Sequence, residues 1–258
     1  MSEVAPVVDA IEAFTDNYIW LIRSPARPGV GVLVDPGDAQ PALQALEREG
    51  LRLGAILLTH RHWDHVRGVP ALIARHGAVP VFGPADDSLP QVTHPVGEGG
   101  HVALPDLGLR FEVLHIPGHT PEHIAYHGHG LLFCGDTLFS AGCGRLLGGT
   151  ATQLFHSLER LKTLPPETRV HCGHEYTVDN LRFALTVEPE NETARAYLQR
   201  ARAYRSSHRP TLPSTLGLEI AVNPFLRCSL PAVQESAGQR AGRTLSTAVA
   251  VFTVIRQW

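Results

Sequence analysis

Residues 58–65 read LTHRHWDH and set His60, His62, Asp64 and His65 within six positions. Three imidazoles and a carboxylate packed this tightly would repel and lose hydration unless something positive joined them. A metal ion is the economical answer. Further His and Asp residues stand where apolar runs stop: His119 in IPGHTPEH, Asp136 in CGDTLF and His174 in HCGHEY. Each is weak alone, because a single histidine after a strand is more often an ordinary surface or core residue. Together the set becomes five histidines and two aspartates. Seven such ligands exceed the three or four protein groups that one tetrahedral zinc takes, so two ions fit better. His60 and His62 alternate along an extended turn and can face one ion together with His119. Asp64 and His65 are consecutive and reach toward a second ion with His174, and Asp136, with two carboxylate oxygens, can bridge. The nitrogen and oxygen donors suit zinc first, with iron or manganese as alternatives.

Two ions in such a site would lower the pKa of bound water from ~15.7 toward ~7. Hydroxide would then be available at neutral pH. Asp136 holds the ions together, and Asp64 can accept a proton from the attacking water. The chain has 15 histidines, so the others need weighing. HGHG (127–130) reads as a hairpin turn between two strands. His171 and Cys172 alternate faces in one strand, so at most one points with His174. His115 lies inside a strand and reads as core or as support behind the ligands. Glu122 and His123 could orient His119 through a hydrogen bond. His76, His94, His101, His156 and His208 have only their residue type in favour.

The elements that must position these residues follow from apolar runs and turns. VVDAIEAF (7–14), NYIWLI (17–22), VGVLVDPG (30–37) and LGAILL (53–58) read as strands, the last delivering LTHRHWDH to a sheet edge. QPALQALEREG (40–50) has helical spacing ending at Gly50, and VRGVPALIARHG (66–77) reads as one helix closed by Gly77. Further strands are expected at VPVF (79–82), LRFEVLHI (109–116), HIAYH (123–127), LLFCG (131–135) and RVHCG (169–173), with an amphipathic helix at ATQLFHSLERLKTL (151–164). Strands interleaved with helices predict an α/β layered sandwich. From residue 177 the chain turns mostly helical, with a break near Pro189 and a last helix at LSTAVAVFTVIRQW (245–258). The expected division is 1–174 as a catalytic domain and 175–258 as a smaller helical domain. No internal repeat or low-complexity tract is evident.

Composition narrows the class. At 258 residues, 43% hydrophobic and 18% charged, the chain is ordinary globular material. Its net charge of −3 and lack of a Lys/Arg run give no support to a nucleic-acid or membrane-surface role. The N-terminal MSEVAPVVDAIEAF lacks the pattern of a signal peptide. No run reaches the ~18 apolar residues of a membrane span. Cys134, Cys143, Cys172 and Cys228 show no paired spacing and read as buried or turn residues. A cytoplasmic, monomeric protein is expected.

THRHWDH, PGHT, GDTLF and CGHEYT, in this order and spacing, resemble the metallo-β-lactamase superfamily. Within it, TDNYIWLI (15–22), DTLFSAGCGRLLGGTA (136–151), CGHEYTVDNLRFAL (172–185) and NPFLR (223–227) resemble glyoxalase II, the hydroxyacylglutathione hydrolases. The resemblance covers nearly the whole chain and implies an αββα sandwich with a C-terminal helical domain. It implies two divalent metal ions on the same seven residues and a small-molecule partner, a glutathione thioester, split into D-lactate and glutathione. It also implies glutathione-binding roles for Arg145, Tyr176, Asn180 and Arg227. The chain departs from the family pattern at Leu147, where an aromatic residue is common, at Gly148 in place of Glu, and at Leu230 in place of a basic residue. The ending VIRQW also lacks the charged family pattern. Rival readings on the same scaffold are a lactonase, a β-lactamase, a nuclease, another thioesterase, or a persulfide dioxygenase with one iron. A non-catalytic metal-binding protein is a further alternative.

Overall fold

The computed structural model describes residues 5–258. Residues 1–4, part of the N-terminal stretch weighed above, lie outside them. The chain folds as two compact units. One takes the chain up to His115 together with Glu122–Gly135. The other takes Ile116–Pro121 and Asp136–Trp258.

The first unit holds a mixed sheet of six strands in sequence order: β1 (Val7–Ala13), β2 (Asn17–Arg23), β3 (Val30–Val34), β4 (Arg52–Leu57), β5 (Val81–Gly83) and β6 (His94–Pro95). β1, β2 and β3 pair antiparallel through short turns. β3, β4, β5 and β6 run parallel. Parallel neighbours need crossovers, and helices α1 (Ala39–Arg48), α2 (Trp63–Val66) and α3 (Val69–His76) lie in them. Leu21, Leu33 and Ile56 of this sheet pack with Ala42 and Leu46 of α1 and Leu72 of α3 in one apolar cluster. The opposite sheet face, with Trp20, Ile22, Val32, Val34 and Leu57, is equally buried. A strand buried on both faces needs a layer on each side. Part of the second sheet supplies it: the antiparallel meander β7 (His101–Leu104), β8 (Leu109–His115), β9 (Ile124–Gly128) and β10 (Leu131–Gly135). The Tyr126 hydroxyl of β9 donates to the Leu58 carbonyl at 2.7 Å, and the Ile124 N–H donates to Thr59 at 3.0 Å.

Local chemistry explains several boundaries. HGHG closes the β9–β10 hairpin with His129 at φ 55° and Gly130 at φ 71°, the two left-handed residues of a type I′ turn. The single helix expected over 66–77 is instead two, α2 and α3, broken at Arg67 and Gly68. A Cβ on Gly68 would lie 2.4 Å from the Pro36 carbonyl oxygen, so the break is where two backbones meet. His115, expected in the core or behind the ligands, is exposed at the end of β8, its N–H bonded to Glu98 at 2.8 Å.

The second unit carries the short hairpin β11 (Leu138–Phe139) and β12 (Gly142–Cys143), then α4 (Ala151–Leu161). Thr150 and Gln153 cap α4 reciprocally, in the Thr-x-x-Gln pattern visible in the sequence. β13 (Arg169–Cys172) pairs antiparallel with β14 (Ser214–Thr215). Between and after them come α5 (Thr177–Val187), α6 (Glu192–Ser206), α7 (Leu216–Val222), α8 (Pro231–Ala241) and α9 (Ala248–Arg256). Leu181, Tyr197, Leu198, Ala201 and Val222 pack from α5, α6 and α7 around Ala141 at the tip of the β11–β12 hairpin. Phe252 of α9 meets Phe155 of α4 and Phe225 edge-on at 5.8 and 5.5 Å.

Candidate metal centre

In the first unit, the ends of the parallel neighbours β3 and β4 emerge side by side, with Val34 opposite Leu57. Loops leaving the carboxyl ends of parallel strands are where α/β folds build their sites. Asp35 leaves β3 at φ 50°, and its buried carboxylate accepts from the Thr59 N–H at 2.8 Å and the Thr59 hydroxyl at 2.7 Å. The Thr59 hydroxyl proton is thereby committed, so its oxygen accepts from His60 Nδ1 at 2.9 Å. Asp35 also accepts from His65 Nδ1 at 3.0 Å. Both rings are thus protonated at Nδ1 and carry their lone pairs on Nε2, the tautomer a metal ligand needs. His60 Nε2 lies 3.0 Å from His62 Nδ1. Two nitrogens ~2.0–2.1 Å from a tetrahedral ion stand about 3.4 Å apart, so the pair is already close to a ligand spacing.

Asp64 is held by Asn17, whose Nδ2 donates to Oδ2 at 3.0 Å, and its Oδ2 lies 3.6 Å from His65 Nε2. A Cβ on Gly37 would fall 1.7 Å from the Asp64 carbonyl oxygen, so only glycine lets this loop close onto the turn after β3. Glu122 accepts from the Arg61 N–H and guanidinium, both at 3.2 Å, and His123 stacks on His60 at 4.5 Å.

In the second unit, His119 Nδ1 donates to the Arg145 carbonyl at 2.8 Å, and the Leu147 N–H returns a bond to the His119 carbonyl at 2.8 Å. His119 Nε2 lies 3.5 Å and His174 Nε2 3.2 Å from the same oxygen, Asp136 Oδ2. One carboxylate oxygen facing two imidazole nitrogens is the arrangement expected of a carboxylate shared between cations. The loop holding His119 is fixed from below: the Ser157 hydroxyl of α4 donates to Pro117 at 2.7 Å. His174 stacks face to face on Tyr176 at 4.8 Å, with Phe139 edge-on to both rings. The donor set in each unit fits divalent ions, being imidazoles beside carboxylates, with the tautomers of His60, His65 and His119 fixed by hydrogen bonds at Nδ1.

The residues expected to touch glutathione divide into two kinds. Arg145 and Tyr176 are exposed, as a ligand-facing residue must be. Asn180 of α5 donates Nδ2 to the Ser140 carbonyl at 2.9 Å. Arg227 is committed elsewhere: its Nε and Nη2 grip both oxygens of buried Glu188 at 2.7 and 3.0 Å, and Nη1 donates to Ile220 at 3.1 Å. That bidentate fork fixes the guanidinium in place, with part of the side chain left at the surface. At the departures from the family pattern, Leu147 and Leu230 are exposed, and Gly148 adopts φ 106°, a conformation that favours glycine. Asp35, Thr59 and Asn17 are the supporting residues missed from sequence. Asp35 had a signal, since it ends an apolar strand as Asp136 does.

Comparison with known proteins gives two family matches: "Metallo-beta-lactamase superfamily" over residues 14–174 and "Hydroxyacylglutathione hydrolase C-terminus" over 175–258. The hydroxyacylglutathione hydrolase of Alkalilimnicola ehrlichii is 52% identical over 249 residues, 96% of each chain. That of Nitrosomonas eutropha is 46% identical over all of this chain and 98% of its own. Among solved structures, TTHA1623 in a di-iron-bound form is 33% identical with a TM-score of 0.59, covering 86% of this chain and 100% of that one. Among the described residues, no helix is long and apolar enough to cross a membrane.

Proposed function

Because this chain belongs to the hydroxyacylglutathione hydrolase family of the metallo-β-lactamase superfamily, we propose that it hydrolyses S-D-lactoylglutathione to D-lactate and glutathione in the cytoplasm. The observation that carries the reading is the pair of oriented ligand clusters on a chain matched over its full length by hydrolases of that name. We assign His60, His62 and His119 to one ion, Asp64, His65 and His174 to the other, and Asp136 to both. Zinc is the first choice for the ions and iron or manganese the alternatives. When bound, the ions supply a water of lowered pKa and polarise the thioester carbonyl.

The chain's own residues do the rest. Asp35 and Thr59 hold His60 and His65 in the ligand tautomer, and the Arg145 carbonyl does the same for His119. Asp64, its carboxylate anchored by Asn17, takes the proton of the attacking water at a carboxylate oxygen. The leaving thiolate has a conjugate acid of pKa ~8.5 and departs without an acid beside it. Arg145 binds a glutathione carboxylate, with Tyr176 and Asn180 flanking it, while Arg227 supports that region through Glu188. We divide these duties between a catalytic domain, 1–174, and a helical substrate-binding domain, 175–258.

A side-by-side assay tests the reading. Metal-loaded protein should hydrolyse S-D-lactoylglutathione far faster than a lactone or a β-lactam and take up no oxygen with glutathione persulfide. Faster turnover of any of those three would overturn it.

A further inference from the structure

The β11–β12 hairpin lies between two parts of the proposed centre. Asp136 stands two residues before it, and the Arg145 carbonyl that orients His119 stands two residues after it. Its tip is a left-handed residue, Ala141 at φ 54°, where a side chain other than glycine is strained. The polar groups of this tip are held by side chains from the helical region. Glu219 of α7 is fully buried and accepts from the Ser140 hydroxyl at 2.8 Å and the Ala141 N–H at 2.6 Å. Asn223 donates to the Phe139 and Gly142 carbonyls at 3.2 and 2.9 Å. Asn180 takes the Ser140 carbonyl, and the Tyr197 hydroxyl lies 3.0 Å from the Ser140 hydroxyl.

A buried carboxylate is costly unless donors surround it, and burial pushes the Glu219 carboxyl above its usual range. An apolar side chain would fill the same space in the helical core without that cost. What the carboxylate adds is a fixed acceptor for the N–H of a strained residue. Behind that residue, the Gly144 backbone leaves no room for adjustment: a Cβ there would lie 1.9 Å from the Asp136 carbonyl oxygen and 3.1 Å from His119 Nδ1. A shift of the hairpin is therefore transmitted to both ligands. We propose that Glu219 is a positioning residue of the metal centre: by pinning the Ser140–Ala141 tip it sets Asp136 and the carbonyl that orients His119. This rests on the two-ion assignment above.

The test compares zinc affinity, by competition with a chromogenic chelator, in wild type, Glu219→Leu, Glu219→Gln and Leu46→Ala. Glu219→Leu should weaken zinc binding about tenfold or more, in the range seen when a residue supporting a metal ligand is removed. Glu219→Gln, which still offers an oxygen to Ala141, should restore affinity to within about threefold. Leu46→Ala, a core substitution in α1 of the first unit, should lower the melting temperature and leave zinc affinity unchanged. If Glu219→Leu does not fold, Ser140→Ala removes one of the two donors and should still weaken zinc binding severalfold. Unchanged zinc affinity in the folded Glu219→Leu or Ser140→Ala protein overturns the proposal, and so does equal loss in Leu46→Ala. Hydrolysis is read separately, so zinc-loaded wild type without thioesterase activity would sink the proposed function and leave the role of Glu219 standing.

Discussion

At the scale of single residues, the candidate ligands stand out in the sequence and their supports mostly do not. HxHxDH announces itself because four polar groups crowd one loop. Asp35 does not, because its partners, Thr59 and His65, are brought to it only by the parallel pairing of β3 with β4. Its removal should matter nearly as much as loss of a ligand. Asp35→Ala frees the tautomers of His60 and His65 and should weaken metal binding by about 10–100-fold. Equilibrium dialysis with zinc reads this directly. The two arginines carry a second contrast. Arg145 is exposed, so Arg145→Ala should raise KM for the thioester while leaving unfolding by denaturant unchanged. Arg227→Ala strands the buried Glu188 carboxylate and should destabilise the fold by about 3 kcal/mol. An Arg227→Ala protein of full stability with a raised KM would return Arg227 to direct ligand binding. Sequence could not separate the two, since both are basic residues carried over by motif position and only the pairing with Glu188 distinguishes them.

At the scale of elements, long periodic segments read correctly and short ones vanish. α1, α4, α5 and α6 follow from helical spacing and caps, and β1 to β4 follow from apolar runs. β11, β12 and β14 are two residues each and have no period to detect. α8 buries only Val233 and Ala237 along PAVQESAGQRA, too little apolar signal to stand out from a loop. The β11–β12 hairpin, invisible in the sequence, is the element on which Asp136 and Arg145 hang. Capping is legible and can be tested: Thr150→Ala removes the reciprocal bonds with Gln153 and should cost about 1 kcal/mol in chemical denaturation. Because Thr150 only starts α4, zinc content should stay unchanged.

At the scale of the whole molecule, the resemblance read from motifs and the family matches agree over residues 14–258, and the ordinary composition excludes little else. All four cysteines are buried, and burial pushes the Cys143 thiol up to about 12 and the Cys228 thiol up as well, so neither of those two offers a thiolate nucleophile at neutral pH. Hydrolysis then depends on the bound ions and on the residues that hold them. The most direct test is the rate of S-D-lactoylglutathione hydrolysis by one protein sample, with its metal content measured, before and after chelation and again after zinc is returned. Turnover should fall with the metal and recover as two equivalents per chain are restored. Undiminished turnover by the metal-free protein, or no turnover by the fully loaded one, would contradict a two-metal thioester hydrolase.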